Sequence, residues 1–117
     1  MKTILIVEDI ELNIDLLVQI LEDDYSLLVA RDGAQGVALA TQQQPDMVLM
    51  DISLPVLDGY EATRRIRQAL PLLPVIGLSA HAMSGDMEKA LAAGCNDYLT
   101  KPVDERILLA RLKQYLA

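Results

Sequence analysis

The stretch Met47-Val48-Leu49-Met50-Asp51 decides how the rest of the 117-residue chain is read. Four apolar residues end abruptly in a carboxylate, and the turn signals Leu54-Pro55 and Asp58-Gly59 follow within eight residues. A continuous apolar run this short suits a strand covered on both faces, as in a parallel sheet. Its last residue then emerges at the strand's carboxyl end, where open α/β folds place their ligand sites.

Working outward, Thr3-Ile4-Leu5-Ile6-Val7 reads as another buried strand, broken by the adjacent carboxylates Glu8 and Asp9. From Glu11 to Glu22 the polar residues Glu11, Asp15, Gln19 and Glu22 share one helical stripe. Leu12, Leu16, Leu17, Ile20 and Leu21 take the other side, which predicts an amphipathic helix with those leucines inward. Ser26 to Ala30 is a further strand, punctuated by Asp32-Gly33, and Ala34, Val37, Ala38 and Thr41 then recur at helical spacing up to Pro45. Beyond the central strand, Asp58 suits an N-cap, and Ala62, Ile66 and Ala69 an inward stripe that Pro71 closes. Val75-Ile76-Gly77-Leu78 is a fourth buried strand ending in Ser79-Ala80. Ser84 and Asp86 open a helix that packs through Met87, Ala90 and Leu91, with Gly94 at the left-handed C′ position. Tyr98-Leu99-Thr100 is a short last strand before Lys101-Pro102, and Asp104 caps a final helix carrying Leu108, Leu112 and Tyr115. Five strands alternating with five helices predict a doubly wound α/β fold, with a parallel sheet between two helical layers.

Composition bounds the function. The balance of 52% hydrophobic and 23% charged residues is that of one globular domain spanning residues 1–117. A net charge of -7 offers no basic surface for nucleic acid. The local run Arg64-Arg65-Ile66-Arg67 reads as a solvated helix face. No apolar run is long enough for a membrane span, and Met1-Lys2-Thr3 does not resemble a secretory signal. The single Cys95 reads as a buried thiol, so a cytoplasmic location is expected.

In a parallel sheet all carboxyl ends point one way, so Glu8, Asp9, Asp51, Ser79 and Lys101 should converge. Two unit charges about 4 Å apart interact by roughly 4 kcal/mol at an effective dielectric near 20, so three carboxylates together call for a cation. An oxygen-only donor set selects a hard ion such as Mg²⁺. A carboxylate beside that ion, an amine and a hydroxyl is equipped to accept a phosphoryl group, with Lys101 and Ser79 contacting its oxygens.

The segments Ile4-Leu5-Ile6-Val7-Glu8-Asp9, Met50 to Gly59, Leu78-Ser79-Ala80, Ala93 to Asp97 and Tyr98 to Val103 together resemble the receiver domain of bacterial two-component response regulators, over essentially the whole chain. The resemblance implies a flavodoxin-like sheet of order 2-1-3-4-5. It implies that Asp51 accepts a phosphoryl group from a phosphohistidine on a sensor histidine kinase or a histidine phosphotransfer protein. It further implies Mg²⁺, with Mn²⁺ as a substitute, on Asp9, Asp51 and the Ser53 carbonyl, with Glu8 acting through water. Ser79 becomes the switch hydroxyl, Tyr98 the switch aromatic, Lys101 the phosphate-binding amine and Pro102 a cis proline. Ser53 and His81 flank the attacking water and modulate dephosphorylation, and Glu8-Asp9 departs from the commoner Asp-Asp pair. Output is expected through the face formed by the fourth helix, fifth strand and fifth helix, roughly Ser84 to Tyr115, towards an unidentified partner. Such a receiver autocatalyses its own modification and is not a turnover enzyme. It is expected to bind neither membrane nor nucleic acid, and to be a monomer or a phosphorylation-dependent dimer. Met1 favours a self-standing regulator over a receiver excised from a longer protein. Three rival readings remain: a small aspartyl-phosphate phosphatase or phosphotransferase, an unphosphorylated interaction module, and a flavin-binding domain.

Overall fold

The computed structural model describes residues 1–80 and 85–116. Strands β1 (Thr3–Val7), β2 (Ser26–Ala30), β3 (Met47–Asp51), β4 (Val75–Ser79) and β5 (Asp97–Thr100) alternate with helices α1 (Glu11–Leu21), α2 (Gly33–Gln43), α3 (Gly59–Ala69), α4 (Asp86–Ala93) and α5 (Glu105–Leu116). All four strand pairings are parallel, in the order β2-β1-β3-β4-β5. The chain therefore winds one way from β1 to β2 and the other way from β3 onward, so the order reverses between β1 and β3. That crevice is where open α/β sheets bind ligands.

The central strands are apolar throughout because both faces are covered. Every residue of β3 and β4 is buried, as are the last four of β1. Alternation sends Leu5, Val7, Val48, Met50 and Val75 to one core, where they meet Ala40, Ala62, Ile66 and Ala90. Ile4, Ile6, Met47, Leu49, Ile76 and Leu78 face the other, with Leu17, Leu21, Leu108 and Leu112.

Expected helix ends are in place. Asp32 and Asp58 accept from the backbone amides of Gln35 and Glu61, and Gly94 adopts φ +116° at the end of α4. Asp104 accepts from the amides of Arg106 and Ile107. The helix start expected at Ser84 lies outside the described residues.

The inward faces differ from expectation. In α1 the buried residues are Ile14, Leu17 and Leu21, while Leu12 is 67% and Leu16 50% exposed. The apolar arc of α1 is wider than the stripe one sheet face can cover, so its edge remains in solvent. In α2 the contact runs through Gly33, Gly36 and Ala40, and Ala34 and Ala38 face outward. Small residues are required there: a Cβ on Gly33 would lie 1.8 Å from the Leu57 carbonyl oxygen. Ala69 of α3 and Met87 and Leu91 of α4 are likewise exposed.

Arg67 is a second departure. Arg64 and Arg65 do lie in solvent, within 3.6 and 3.7 Å of Glu61. Arg67 instead turns inward and donates to the carbonyls of Gly94, Leu70, Pro71 and Leu73 and to Asn96 Oδ1. Asn96 Oδ1 also accepts from the Val75 amide, so one guanidinium ties the end of α3 to the start of β4 and to the turn before β5. Cys95 is buried, as expected, and that burial pushes its thiol up, keeping it in the unreactive protonated form.

Candidate functional site

Four strands deliver the reactive groups by ending in step. Asp51 is the last residue of β3 and Ser79 the last of β4, while Glu8 follows β1 directly and Lys101 follows β5. Main-chain bonds beyond the strands hold this edge together: Glu8 N–H donates to Ala30, Ile52 N–H to Leu78 and Lys101 N–H to Ser79. Glu8, Asp51 and Ser79 are buried, whereas Asp9 is exposed at the mouth.

The Lys101 ammonium lies 2.5 Å from Glu8 Oε1 and 3.3 Å from Asp51 Oδ1. Glu8 Oε2 turns the other way and accepts from the amides of Asp9 and Ile10. Carboxylate oxygens of Glu8, Asp9 and Asp51 all lie within 4.8 Å of one another. Lys101 and Pro102 are joined by a cis peptide bond, as expected.

This arrangement divides the two buried carboxyls. Burial, and then the Glu8 charge, push the Asp51 carboxyl up to about 6, against the pull of Lys101 and the Ser53 amide. Burial acts upward on Glu8 too, but the Lys101 hydrogen bond, the Ile10 amide and the Lys101 charge outweigh it, so Glu8 lies below the usual carboxylate range. Glu8 is thus the standing partner of Lys101, and Asp51 is the less well neutralised carboxylate of the pair.

The loop after Asp51 is set by close backbone packing. Ser53 N–H points to Asp51 Oδ1 at 3.3 Å, and Gly59 N–H donates to the Ile52 carbonyl at 3.0 Å. A Cβ on Gly59 would sit 2.2 Å from the Asp51 carbonyl oxygen, so only glycine allows α3 to start this close to the acceptor strand. Between them, Leu57 N–H donates to the Pro55 carbonyl at 2.7 Å across Val56, whose φ is +68°. This is a γ-turn of the rarer, strained kind, with a β-branched residue at its centre.

The expected residues Glu8, Asp9, Asp51, Ser53, Ser79 and Lys101 therefore share one edge. Tyr98 is half-buried and packs on the core that contains Met50 and Cys95. His81 lies outside the described residues. Unforeseen neighbours are Tyr60, Asp86 and Lys89, which with Ile52, Ser53, Asp58 and Ser79 line a recess of about 340 Å³ beside the site. Burial, and then Asp86, raise the Tyr60 phenol. Helical spacing could have placed Tyr60 two positions from the Asp58 cap, but not its side chain beside α4. On the far side of Lys101, an apolar groove runs between Leu16, Leu17 and Ile20 of α1 and the Pro102-Val103 segment. No helix among the described residues is long and apolar enough to cross a membrane.

Residues 4–113 match the response regulator receiver domain family. The polar-differentiation response regulator DivK of Brucella ovis is 37% identical over 118 aligned positions, covering 98% of this chain and 96% of that protein. Among solved structures, the receiver domain of a sensor histidine kinase from Pseudomonas aeruginosa, crystallised with magnesium coordinated in its active-site cleft, is 42% identical. It superposes with a TM-score of 0.91 over 97% of this chain and 96% of that one. A CheY-like receiver domain protein of Methanospirillum hungatei is 31% identical with the same TM-score, covering 97% and 92%. The chain belongs to the response regulator receiver domain family of two-component signalling.

Proposed function

We propose that the chain is a single receiver domain that accepts a phosphoryl group on Asp51 and thereby changes its affinity for a partner. The observation that carries this reading is the pairing at the β1–β3 crevice. One partly exposed ammonium is shared unequally by two buried carboxylates, which leaves Asp51 as the less neutralised carboxylate, the one poised to act as nucleophile beside an amine and a hydroxyl.

An Asp51 carboxylate oxygen attacks the phosphorus of a phosphohistidine. A P–O bond forms, the P–N bond breaks, and the imidazole nitrogen leaves with the electron pair and takes up a proton. Lys101 and Ser79 hold the transferred oxygens, so the chain contributes mostly positioning and charge. Hydrolysis reverses the modification when water attacks the phosphorus and the Asp51 carboxylate departs, and the family resemblance implies that the residue types at positions 53 and 81 modulate its rate. This is autocatalysis on the protein's own side chain and not turnover of a substrate.

The donor set suits a hard divalent ion. Three carboxylates face one ammonium, and their oxygens lie within 4.8 Å of one another with no sulfur or imidazole among them. Asp9, Asp51 and the Ser53 carbonyl would hold Mg²⁺, or Mn²⁺ in its place, and Glu8 would reach it through water. The ion would supply charge neutralisation for the phosphoryl oxygens.

A protein donor, a sensor histidine kinase or a histidine phosphotransfer protein, is supported by the solvent-facing Leu12 and Leu16 and by the apolar groove that borders Lys101. Output through α4, β5 and α5 is supported by the exposed apolar side chains Met87, Leu91 and Ile107. In that switch Tyr98 turns inward as Ser79 follows the phosphoryl group. The test is incubation with a phosphohistidine donor and Mg²⁺. Wild type should gain one acid-labile phosphoryl group and Asp51→Asn none, whereas equal gain in both overturns the reading.

A further inference from the structure

We propose that Glu8 is a positioning residue for Lys101: it draws the ammonium towards itself in the resting protein, so that Asp51 keeps only the longer of the two contacts and its nucleophilic oxygen is not capped by a close hydrogen bond. The inference rests on the reading of Asp51 as the phosphoryl acceptor. Both Glu8 oxygens are already engaged, one by Lys101 at 2.5 Å and the other by the amides of Asp9 and Ile10 at 3.0 and 3.3 Å. The side chain is wholly buried, which strengthens its attraction for the ammonium. The Lys101 side chain is itself 15% exposed, and among the described residues its anionic contacts are Glu8 and Asp51, the second 0.8 Å longer than the first. An ammonium carries three donors, so it can keep Glu8 and still present a donor to an arriving phosphoryl oxygen.

The length of the side chain matters to this arrangement. With one oxygen fixed on the turn amides, the Glu8 arm still spans from the β1 end to the amine at the β5 end. An aspartate there would be shorter by one carbon–carbon bond, about 1.5 Å, and could not keep both engagements at these distances. The extra methylene at position 8 thus sets where the amine rests. Without the charge of Glu8, Asp51 is the one remaining anionic partner among the described contacts, and the ammonium should close onto the nucleophile.

The test compares wild type with Glu8→Gln, which keeps shape and loses charge, and Glu8→Asp, which keeps charge and loses reach. NMR of the metal-free proteins reads which carboxyl carbon is scalar-coupled to the Lys101 ammonium. Wild type should couple to Glu8, and Glu8→Gln to Asp51. Saturation kinetics with a small acyl phosphate at saturating Mg²⁺ then give the maximal rate and the half-saturation separately. Glu8→Gln should lower the maximal rate by about tenfold or more with half-saturation unchanged, and Glu8→Asp should fall between. A weakened Mg²⁺ affinity with an unchanged maximal rate would make Glu8 a metal-side group only and overturn the proposal. So would wild-type coupling of Lys101 to Asp51 in place of Glu8. If wild type is not modified at Asp51 at all, the underlying reading fails and the proposal with it, and that outcome is distinct from a fast Glu8→Gln variant.

Discussion

Replacing Asp51 by asparagine should make the metal-free protein more stable. A carboxyl raised from 3.8 to about 6 by burial and by the neighbouring Glu8 opposes folding by roughly 3 kcal/mol once pH exceeds both values. The amide removes that charge at nearly constant shape. Its own cost, about 1–2 kcal/mol, comes from an imperfectly bonded amide and from the contact Lys101 loses. The net gain is roughly 1–2 kcal/mol near neutral pH. Between about pH 4 and 6 the folded wild type holds the Asp51 proton more tightly than the unfolded chain does, so this group's contribution to stability falls as pH rises across that window and then levels off. Glu8 runs oppositely: its folded value is lowered, so its contribution is present at neutral pH and is lost on acidification. The assay is urea unfolding of both proteins with a chelator present, at several pH values. Near pH 4, where the penalty on the Asp51 charge has almost gone and only the cost of the amide remains, Asp51→Asn should be the less stable protein, and the difference should turn in its favour as pH rises and reach its plateau above about pH 6. Mg²⁺ at about 100 times its dissociation constant should then stabilise wild type by about 2.7 kcal/mol and close the gap. A metal-free Asp51→Asn less stable than wild type at neutral pH would refute the electrostatic reasoning.

Three further outcomes follow from the backbone and its ties. Val56→Gly removes a left-handed β-branched residue that is 84% exposed and packs little, and should stabilise by about 0.5–1 kcal/mol in the same unfolding assay. Gly59→Ala places a methyl 2.2 Å from the Asp51 carbonyl oxygen, so it should destabilise by about 2 kcal/mol or more and weaken Mg²⁺ binding measured by titration. Arg67→Lys cannot reproduce a fork that serves four carbonyls and Asn96, and should cost about 2–3 kcal/mol and speed amide exchange at Val75 and Asn96.

The strands were legible because burial on both faces leaves only apolar residues in them: β3 and β4 have no exposed position at all. Once their carboxyl ends share an edge, Glu8, Asp51, Ser79 and Lys101 must meet, so the candidate site was legible as well. Helix faces were not. Leu12 and Leu16 share the apolar arc of Leu17 and Leu21, and nothing local tells which edge of that arc the sheet covers. Gly33 and Gly36 carry no hydrophobic signal, yet they form the contact face of α2, because backbone approach and not side-chain volume decides that packing. Arg67 looked like its exposed neighbours because its acceptors come from Leu70 to Asn96, and only the folded chain brings them together. The unequal sharing of Lys101 was equally hidden, since it depends on the two turn amides that hold the other oxygen of Glu8.

Everything proposed for this chain depends on Asp51 taking the phosphoryl group. Borohydride reduction of the protein after exposure to a phosphohistidine donor and Mg²⁺ converts an acyl phosphate to the corresponding alcohol, and peptide mass mapping locates it. Homoserine at position 51 is the predicted result. Homoserine elsewhere in the chain, or a stable phosphoester with residue 51 unchanged, would contradict it.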